Sequence, residues 1–267
     1  MKAAVYALAT LFALDVVPSC GKRRERPVPM PPPAAEAPAA PPASPPSATP
    51  APAAGPRGLV RGKITFVGTP PPMFPQKRDA DPFCSKKPMT EEEIVVAADG
   101  ALANVLVRVV GAPATPPPAQ KAAIVQRDCR YTPRILPVVR GQKVEIKNGD
   151  PTLHNVHGYQ GTKTDFNEVQ VPEAPSLERV FDEDRVLHKL KCDVHQWMTG
   201  YIWVQTNDHF AVTGADGTFE IGNLPVGTYQ LEAWHERFDV KSAALVVEAG
   251  KPATIDFQYT IKDNTQR

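Results

Sequence analysis

Four side chains of this chain are suited to bind one soft metal ion. Cys192, His195 and Met198 follow one another as Cys-x2-His-x2-Met, and two histidines, His154 and His157, lie upstream in the run Pro151-Thr-Leu-His-Asn-Val-His. A thiolate, two imidazoles and a thioether are the ligands of trigonal copper sites with a weak axial methionine. Ligands held rigidly on one short loop and a neighbouring strand end would move little between Cu(I) and Cu(II). The sequence therefore predicts a copper site built from Cys192, His195, Met198 and one histidine of the upstream run.

Three other interpretations use the same residues. Zinc takes the same donors, because geometry and availability decide which metal binds. Cys192 beside His195 would form a nucleophile pair, but the sequence shows no third orienting residue and leaves Met198 without a role. A buried thiol with two surface histidines is the purely structural alternative. We expect no catalytic residue, and we predict that the chain is not an enzyme.

Short strands must position these ligands. After Gly58, apolar residues alternate over short stretches that glycine and proline interrupt, and no stretch carries a sustained helical stripe. This pattern predicts an all-β fold of sandwiches or Greek-key barrels. The predicted strands are Leu59–Val67, Asn104–Val110, Ala123–Gln126, Lys143–Lys147, Gly200–Gln205, Thr218–Ile221, Thr228–Trp234, Ala244–Val247 and Thr254–Tyr259.

The middle of the chain resembles the cupredoxin family, amicyanin- and plastocyanin-like. The matching residues are Tyr131-x-Pro133, Gly141-Gln-Lys-Val-Glu-Ile-Lys-Asn148, the run that contains His154, and the Cys192 loop with its short spacing. The resemblance implies a Greek-key β-sandwich over residues 116–207 with one type-1 copper ion. It makes His154 the upstream ligand, and it implies that Asn155 orients the site and that its backbone hydrogen-bonds the thiolate.

The same resemblance implies a function. The expected protein carries single electrons through an exposed edge of His195 to a redox partner such as a c-type cytochrome or a dehydrogenase. Departures from the family pattern, such as Leu153 where proline is frequent and Asp193-Val194 in the ligand loop, bear on potential and partner docking.

A second resemblance covers the rest of the folded region. The run Ala211–Leu231, with Asp216-Gly217 as a hairpin-turn signal and a second turn at Pro225-Val-Gly227, resembles carboxypeptidase-regulatory-like, Cna B-type or prealbumin-like sandwiches. We expect a discontinuous domain over residues 58–115 and 208–262, with the cupredoxin inserted; two tandem domains are the alternative. A binding function for this sandwich, with a glycan or protein ligand and a structural or stored metal, is the alternative function.

The amino terminus predicts export. Residues 1–20 combine a lysine with an apolar stretch that is too short to span a bilayer, and they end in Val17-Pro-Ser-Cys20-Gly, which resembles a lipobox. Residues 21–57 are rich in proline and alanine, which predicts a disordered tether. The protein would then sit in the periplasm or at the cell surface of a bacterium, with Cys20 lipidated as its only membrane contact. The formal net charge of +1 argues against a nucleic-acid partner.

The remaining cysteines predict a disulfide. Cys20 belongs to the leader and Cys192 to the ligand loop, which leaves Cys84 and Cys129 in polar, turn-like contexts. In an oxidising compartment this pair is expected to form a bridge; two free thiols are the alternative.

The other histidines receive plainer interpretations. His157 is expected to be a surface residue or a contact of a ligand. His188 and His209 are expected to be solvated, and His235 to lie at the rim of a strand.

Overall fold

The computed structural model describes residues 55–264, and they form strands joined by turns and loops. The strands are β1 Arg57–Phe66, β2 Leu106–Val110, β3 Ala122–Gln126, β4 Tyr131–Thr132, β5 Ile135–Val139, β6 Lys143–Asn148, β7 His154–Gln160, β8 Lys163–Gln170, β9 Leu177–Val180, β10 Leu187–Lys191, β11 Thr199–Gln205, β12 Phe210–Val212, β13 Thr218–Pro225, β14 Gly227–His235, β15 Phe238–Val247, β16 Ala253–Thr254 and β17 Phe257–Tyr259. Two single helical turns cover Cys84–Lys86 and Ile261–Asp263. The predicted all-β class is confirmed.

The predicted signal peptide, Cys20 and nearly all of the predicted tether lie outside the described residues. Within residues 55–264 no helix has the length and apolar character needed to cross a membrane.

Four sheets divide the strands into two groups. In one group, β13-β1-β16, with β17 also paired to β1, forms one sheet and β12-β2-β14-β15 forms another. In the other group the sheets are β5-β11-β10-β7-β8 and β4-β3-β6-β9. The second group is built only from strands β3 to β11, which lie between β2 and β12 in the chain. We infer that this stretch is an insertion between the strands of the first group.

Each group encloses its own apolar core. The first core contains Ile64, Leu102, Leu231 and Phe238, among others. The second contains aliphatic residues of β3, β6 and β10 and also Cys192 and Met198. Packing in two separate cores is expected when each pair of sheets buries its own inward-facing side chains.

A third cluster joins the two groups. Leu106 of β2, Tyr201 and Trp203 of β11 and Trp234 of β14 pack together, and the Trp203 and Trp234 rings meet edge to face with centroids 5.6 Å apart. Beside them Tyr201 donates a hydrogen bond of 3.0 Å to Glu236. Aromatic burial of this kind contributes both area and preferred geometry, so the two groups share a fixed contact.

Every predicted strand overlaps an observed one, but β4, β5, β7, β8, β9, β10 and β12 are absent from the prediction. For β8 the reason is its composition. β8 lies at the edge of its sheet, and in it only Phe166 and Gln170 are buried, so its sequence lacks the apolar alternation that identifies a half-buried strand.

The turn at Asp216-Gly217 has a different role from the predicted hairpin. The strand before it, β12, pairs with β2, whereas the strand after it, β13, pairs with β1 in the other sheet. Gly217 has φ +69° and lies where a Cβ atom would come within 2.5 Å of the Ile64 carbonyl oxygen. The turn signal was correct, but the chain uses it to pass between sheets.

Candidate metal centre

Three donor atoms converge at one end of the inserted sheets. His154 begins β7, Cys192 directly follows β10, and His195 lies in the loop that leads into β11. The Nδ1 atoms of the two histidines are 2.9 Å apart, and Nδ1 of His195 is 3.7 Å from Sγ of Cys192. All three side chains are buried, and their ligand atoms lie within 4.8 Å of one another.

These separations fit a shared metal ion. Ligand atoms that each stand about 2.0–2.3 Å from one ion lie roughly 3–4 Å from one another. The nitrogen–nitrogen and sulfur–nitrogen distances fall in that range. Electron-rich atoms this close repel each other when buried, so the arrangement calls for a cation between them, either a proton or a metal ion.

Met198 is buried in the core that also contains Cys192. Its side chain is 1% exposed and belongs to the same core cluster as Cys192. The backbone N–H of Met198 donates a 2.8 Å hydrogen bond to the carbonyl oxygen of His195, which closes the loop into a tight turn. The turn therefore fixes the backbone of Met198 at the end of the loop that carries Cys192 and His195.

A carboxylate oxygen lies close to Nε2 of each imidazole ring. Oδ2 of Asp150 is 2.9 Å from Nε2 of His154, and Oδ2 of Asp81 is 3.2 Å from Nε2 of His195. A carboxylate at Nε2 favours the tautomer with its proton there, which leaves Nδ1 with a free lone pair. Both rings are thus oriented to present Nδ1 to a cation.

These two carboxylates were not predicted from the sequence. Asp150 had a local signal, because it lies four positions before His154 in the Asn-Gly-Asp-Pro turn. Asp81 is separated from His195 by 114 positions, and no pattern in the sequence connects residues that distant.

The charges around the rings shift their pKa values in opposite directions. Burial acts to lower the pKa of His154, but the Asp150 carboxylate and the Cys192 sulfur outweigh it, so the pKa is raised. Burial and the neighbouring positive charge of His154 lower the pKa of His195. Burial acts to raise the pKa of Asp81, yet hydrogen bonds from the Cys84 backbone and other donors bring it down to about 2. The carboxylate of Asp81 is therefore ionised at neutral pH.

Asn155 lies where it can order the thiol and the ligand loop. Its backbone N–H points to Sγ of Cys192 at 3.5 Å. Its side chain accepts a 2.6 Å hydrogen bond from the backbone N–H of Asp193 and donates a 2.9 Å bond to the Asp193 carboxylate. These bonds join β7 to the first residue after Cys192.

The prediction that one edge of His195 is exposed is wrong. The residue is 3% exposed, and its Nε2 faces Asp81 and lies 3.7 Å from Sγ of Cys84. The segment that covers it comes from a part of the chain before β2, which the cupredoxin-like stretch does not contain. The ring of Trp197 packs against the ring of His195 with centroids 5.0 Å apart.

The predicted disulfide between Cys84 and Cys129 is confirmed, and it lies next to the site. The carbonyl oxygen of Cys129 accepts a 3.1 Å hydrogen bond from the indole of Trp197. Cys192 is the free cysteine of the described residues, and it is buried.

The other histidines lie outside the donor cluster. His157 is partly exposed and contacts Asp193 at 3.0 Å. His188 and His209 are buried rather than solvated, and His235 is fully buried rather than at a rim. The ring of His235 stacks on that of Phe238 with centroids 4.7 Å apart, because β14 turns into β15 inside the first core.

Comparisons with known proteins give one family match in sequence. The carboxypeptidase regulatory-like domain family matches residues 202–260, which confirms that resemblance for the carboxyl-terminal strands. No curated protein matches the chain.

Solved structures similar to this chain include cupredoxins. A purple cupredoxin from Nitrosopumilus maritimus is 25% identical, with 32% of this chain and 99% of that chain covered at a TM-score of 0.29. Amicyanin from Paracoccus versutus is 20% identical, with 42% of this chain and 98% of amicyanin covered at a TM-score of 0.30. A copper-containing nitrite reductase from Thermus scotoductus is 22% identical, with 36% of this chain and 24% of the reductase covered at a TM-score of 0.29.

Proposed function

We propose that this chain is an exported type-1 copper protein that carries single electrons between redox partners in the cell envelope, and that it is not an enzyme. One observation carries the proposal. The Nδ1 atoms of His154 and His195 and Sγ of Cys192 converge in a buried site, and Met198 is buried in the same core as Cys192. This is the donor set of blue-copper sites.

The chain's residues supply what electron transfer requires of a site. Bound copper would supply a one-electron couple, held by His154, Cys192, His195 and Met198. Strand β7 and the tight loop before β11 fix the ligands, and Asn155 ties these two elements together. A buried, rigid site of this kind excludes water and limits movement between oxidation states, which keeps the cost of each electron exchange small.

The cell-envelope location rests on the leader and the disulfide. Residues 1–20 have the pattern of an export signal, Cys20 that of a lipidated residue, and residues 21–57 that of a tether. The Cys84–Cys129 bridge suits an oxidising compartment. The partner would be another redox protein, such as a c-type cytochrome or a dehydrogenase.

The test is visible absorption and EPR of the full chain after addition of Cu(II). We expect an intense blue band and a narrow copper hyperfine splitting, both lost in Cys192→Ser because the thiolate is removed. His157→Ala is the matched control, since His157 lies near the site without joining the donor cluster, and it should keep both signals.

Two results would count against the proposal. A protein that stays colourless with Cu(II), or one whose copper signal survives Cys192→Ser, has no thiolate–copper site. Tight zinc binding without a reversible redox couple would favour a structural metal instead.

A further inference from the structure

A short loop closes over the outer edge of His195. The loop Asp81–Lys86 includes the helical turn Cys84–Lys86. Asp81 places a carboxylate oxygen 3.2 Å from Nε2 of His195, and Cys84 places its sulfur 3.7 Å from the same atom. His195 is left 3% exposed.

Asp81 holds the loop in shape while it contacts the ring. One of its carboxylate oxygens accepts hydrogen bonds of 2.8 Å from the backbone N–H groups of Phe83 and Cys84. The other accepts a 2.7 Å bond from the hydroxyl of Thr152, two positions before His154. The same side chain therefore joins the loop to both histidine-bearing segments.

The loop is also anchored to the inserted stretch by a disulfide and by hydrogen bonds. The Cys84–Cys129 bridge fixes its middle. The guanidinium of Arg78, a buried residue, donates hydrogen bonds to the carbonyl oxygens of Lys87 at 3.0 Å and Asp128 at 2.6 Å. A loop held at both ends and at its centre has little freedom to open locally.

We propose that Asp81 is a positioning residue for His195, and that the loop Asp81–Lys86 is a disulfide-anchored shield that closes the outer edge of this ring to solvent and to partners. The inference rests on the proposed function for the identity of the metal, but not for the closure. It assigns a role in the site to a segment that precedes the inserted stretch. It also implies that a redox partner docks at a surface other than the edge of His195.

The closure is testable on the metal-free full chain with diethylpyrocarbonate, which acylates an accessible, unprotonated imidazole nitrogen. Mass spectrometry gives the labelling rate of each histidine. His157, the one histidine that is not buried, is the internal reference. We expect His195 to label at least about tenfold more slowly than His157, the difference that about 1.4 kcal/mol of opening free energy produces.

Variants of the shield should raise this rate selectively. Asp81→Ala and the double variant Cys84→Ala/Cys129→Ala should each increase labelling of His195 by about tenfold, while His188 keeps its slow rate. Asp165→Ala is the matched control. It removes the carboxylate 3.1 Å from Nδ1 of His188 and should leave labelling of His195 unchanged.

Two results for His195 itself overturn the shield. One is labelling of His195 in the unmodified chain at the rate of His157, and the other is labelling that Asp81→Ala does not change. Asp81→Asn, which keeps the side-chain size, is measured alongside to detect unfolding. Labelling of all buried histidines together in both Asp81 variants also contradicts a local shield. Faster labelling of His195 alone in Asp81→Ala, or in Asp81→Asn where Asp81→Ala unfolds, supports it.

The result separates this inference from the proposed function. Failure of the unmodified chain to develop a copper–thiolate band would remove the proposed function, but the labelling of the metal-free protein would still report closure. A normal copper band together with freely labelled His195 would keep the function and remove the shield.

Discussion

Replacing Asp150 by asparagine removes a buried negative charge from behind the His154 ring at nearly constant side-chain size. The carboxylate is 2% exposed and lies 2.9 Å from Nε2 of His154, on the edge opposite Nδ1. With a metal–nitrogen distance of about 2.0 Å, the charge stands about 7 Å from an ion held by Nδ1. The substitution therefore probes the electrostatic field at the centre without removing a ligand.

The expected size of the effect follows from Coulomb's law. At an effective dielectric constant of about 20, two unit charges about 7 Å apart interact by about 2.4 kcal/mol. Because Cu(II) carries one more positive charge than Cu(I), losing the carboxylate destabilises the oxidised state by that amount. For one electron about 59 mV corresponds to a tenfold change in equilibrium, or about 1.4 kcal/mol, so the reduction potential should rise by about 100 mV.

The assay is a spectroelectrochemical titration of the copper-loaded chain at low ionic strength, followed at the blue band. Asp165→Asn serves as the control, because Asp165 contacts His188 and its side chain is 40% exposed, where solvent and salt screen its charge. A potential that falls in Asp150→Asn, or that rises no more than in the control while the blue band persists, would refute the electrostatic reasoning.

Three further predictions concern stability. Closing 45 residues of chain, the Cys84–Cys129 bridge should stabilise the fold by about 4 kcal/mol in the chain-entropy treatment, and denaturant unfolding of Cys84→Ala/Cys129→Ala measures this loss. Burial and then the charges of Arg134 and Arg237 lower the pKa of His235 to about 3, so between about pH 6.5 and pH 3 this histidine binds a proton in the unfolded chain but not in the folded one. The free energy of unfolding should therefore fall as the pH drops through this range, by up to about 1.4 kcal/mol per pH unit. His235→Phe should flatten this slope. Glu236 accepts a 2.8 Å hydrogen bond from Arg134 in a buried ion pair, and Glu236→Gln should cost about 3 kcal/mol because it leaves the guanidinium charge buried without its partner.

Each stability prediction has a contrary outcome. An unchanged denaturation midpoint in the cysteine double variant would show that the unfolded chain gains no freedom. A pH slope that is equal in the original chain and in His235→Phe would place the acid sensitivity elsewhere. For the ion pair, Glu248→Ala is the control because its pair with Lys251 is exposed, and equal effects of the two substitutions would contradict the argument from burial.

The strands that sequence reasoning found are those with an apolar side every second residue. β6 and β14 bury alternating positions, and β11 is apolar almost throughout because it lies inside its sheet. The edge strand β8 carries mostly polar residues, and its pairing depends on a neighbour that local pattern does not reveal.

The four candidate donors could be predicted from the sequence because most of them lie close together in it. Cysteine, histidine and methionine recur at close spacing in one loop, and His154 stands in a run of its own. The disulfide could also be predicted from the sequence, because the leader and the ligand loop account for two of the four cysteines and leave one pair. Residue type and spacing were sufficient for these conclusions.

The environment of the donors was decided by tertiary structure. The buried state of His195 depends on Asp81, 114 positions away, and that contact exists only because the disulfide and Arg78 fold an early segment over a later one. The burial of His235 likewise follows from its place in the first core. Local sequence specifies ligand chemistry and strand period, whereas exposure, charge environment and access arise from contacts between distant segments, which short-range patterns do not encode.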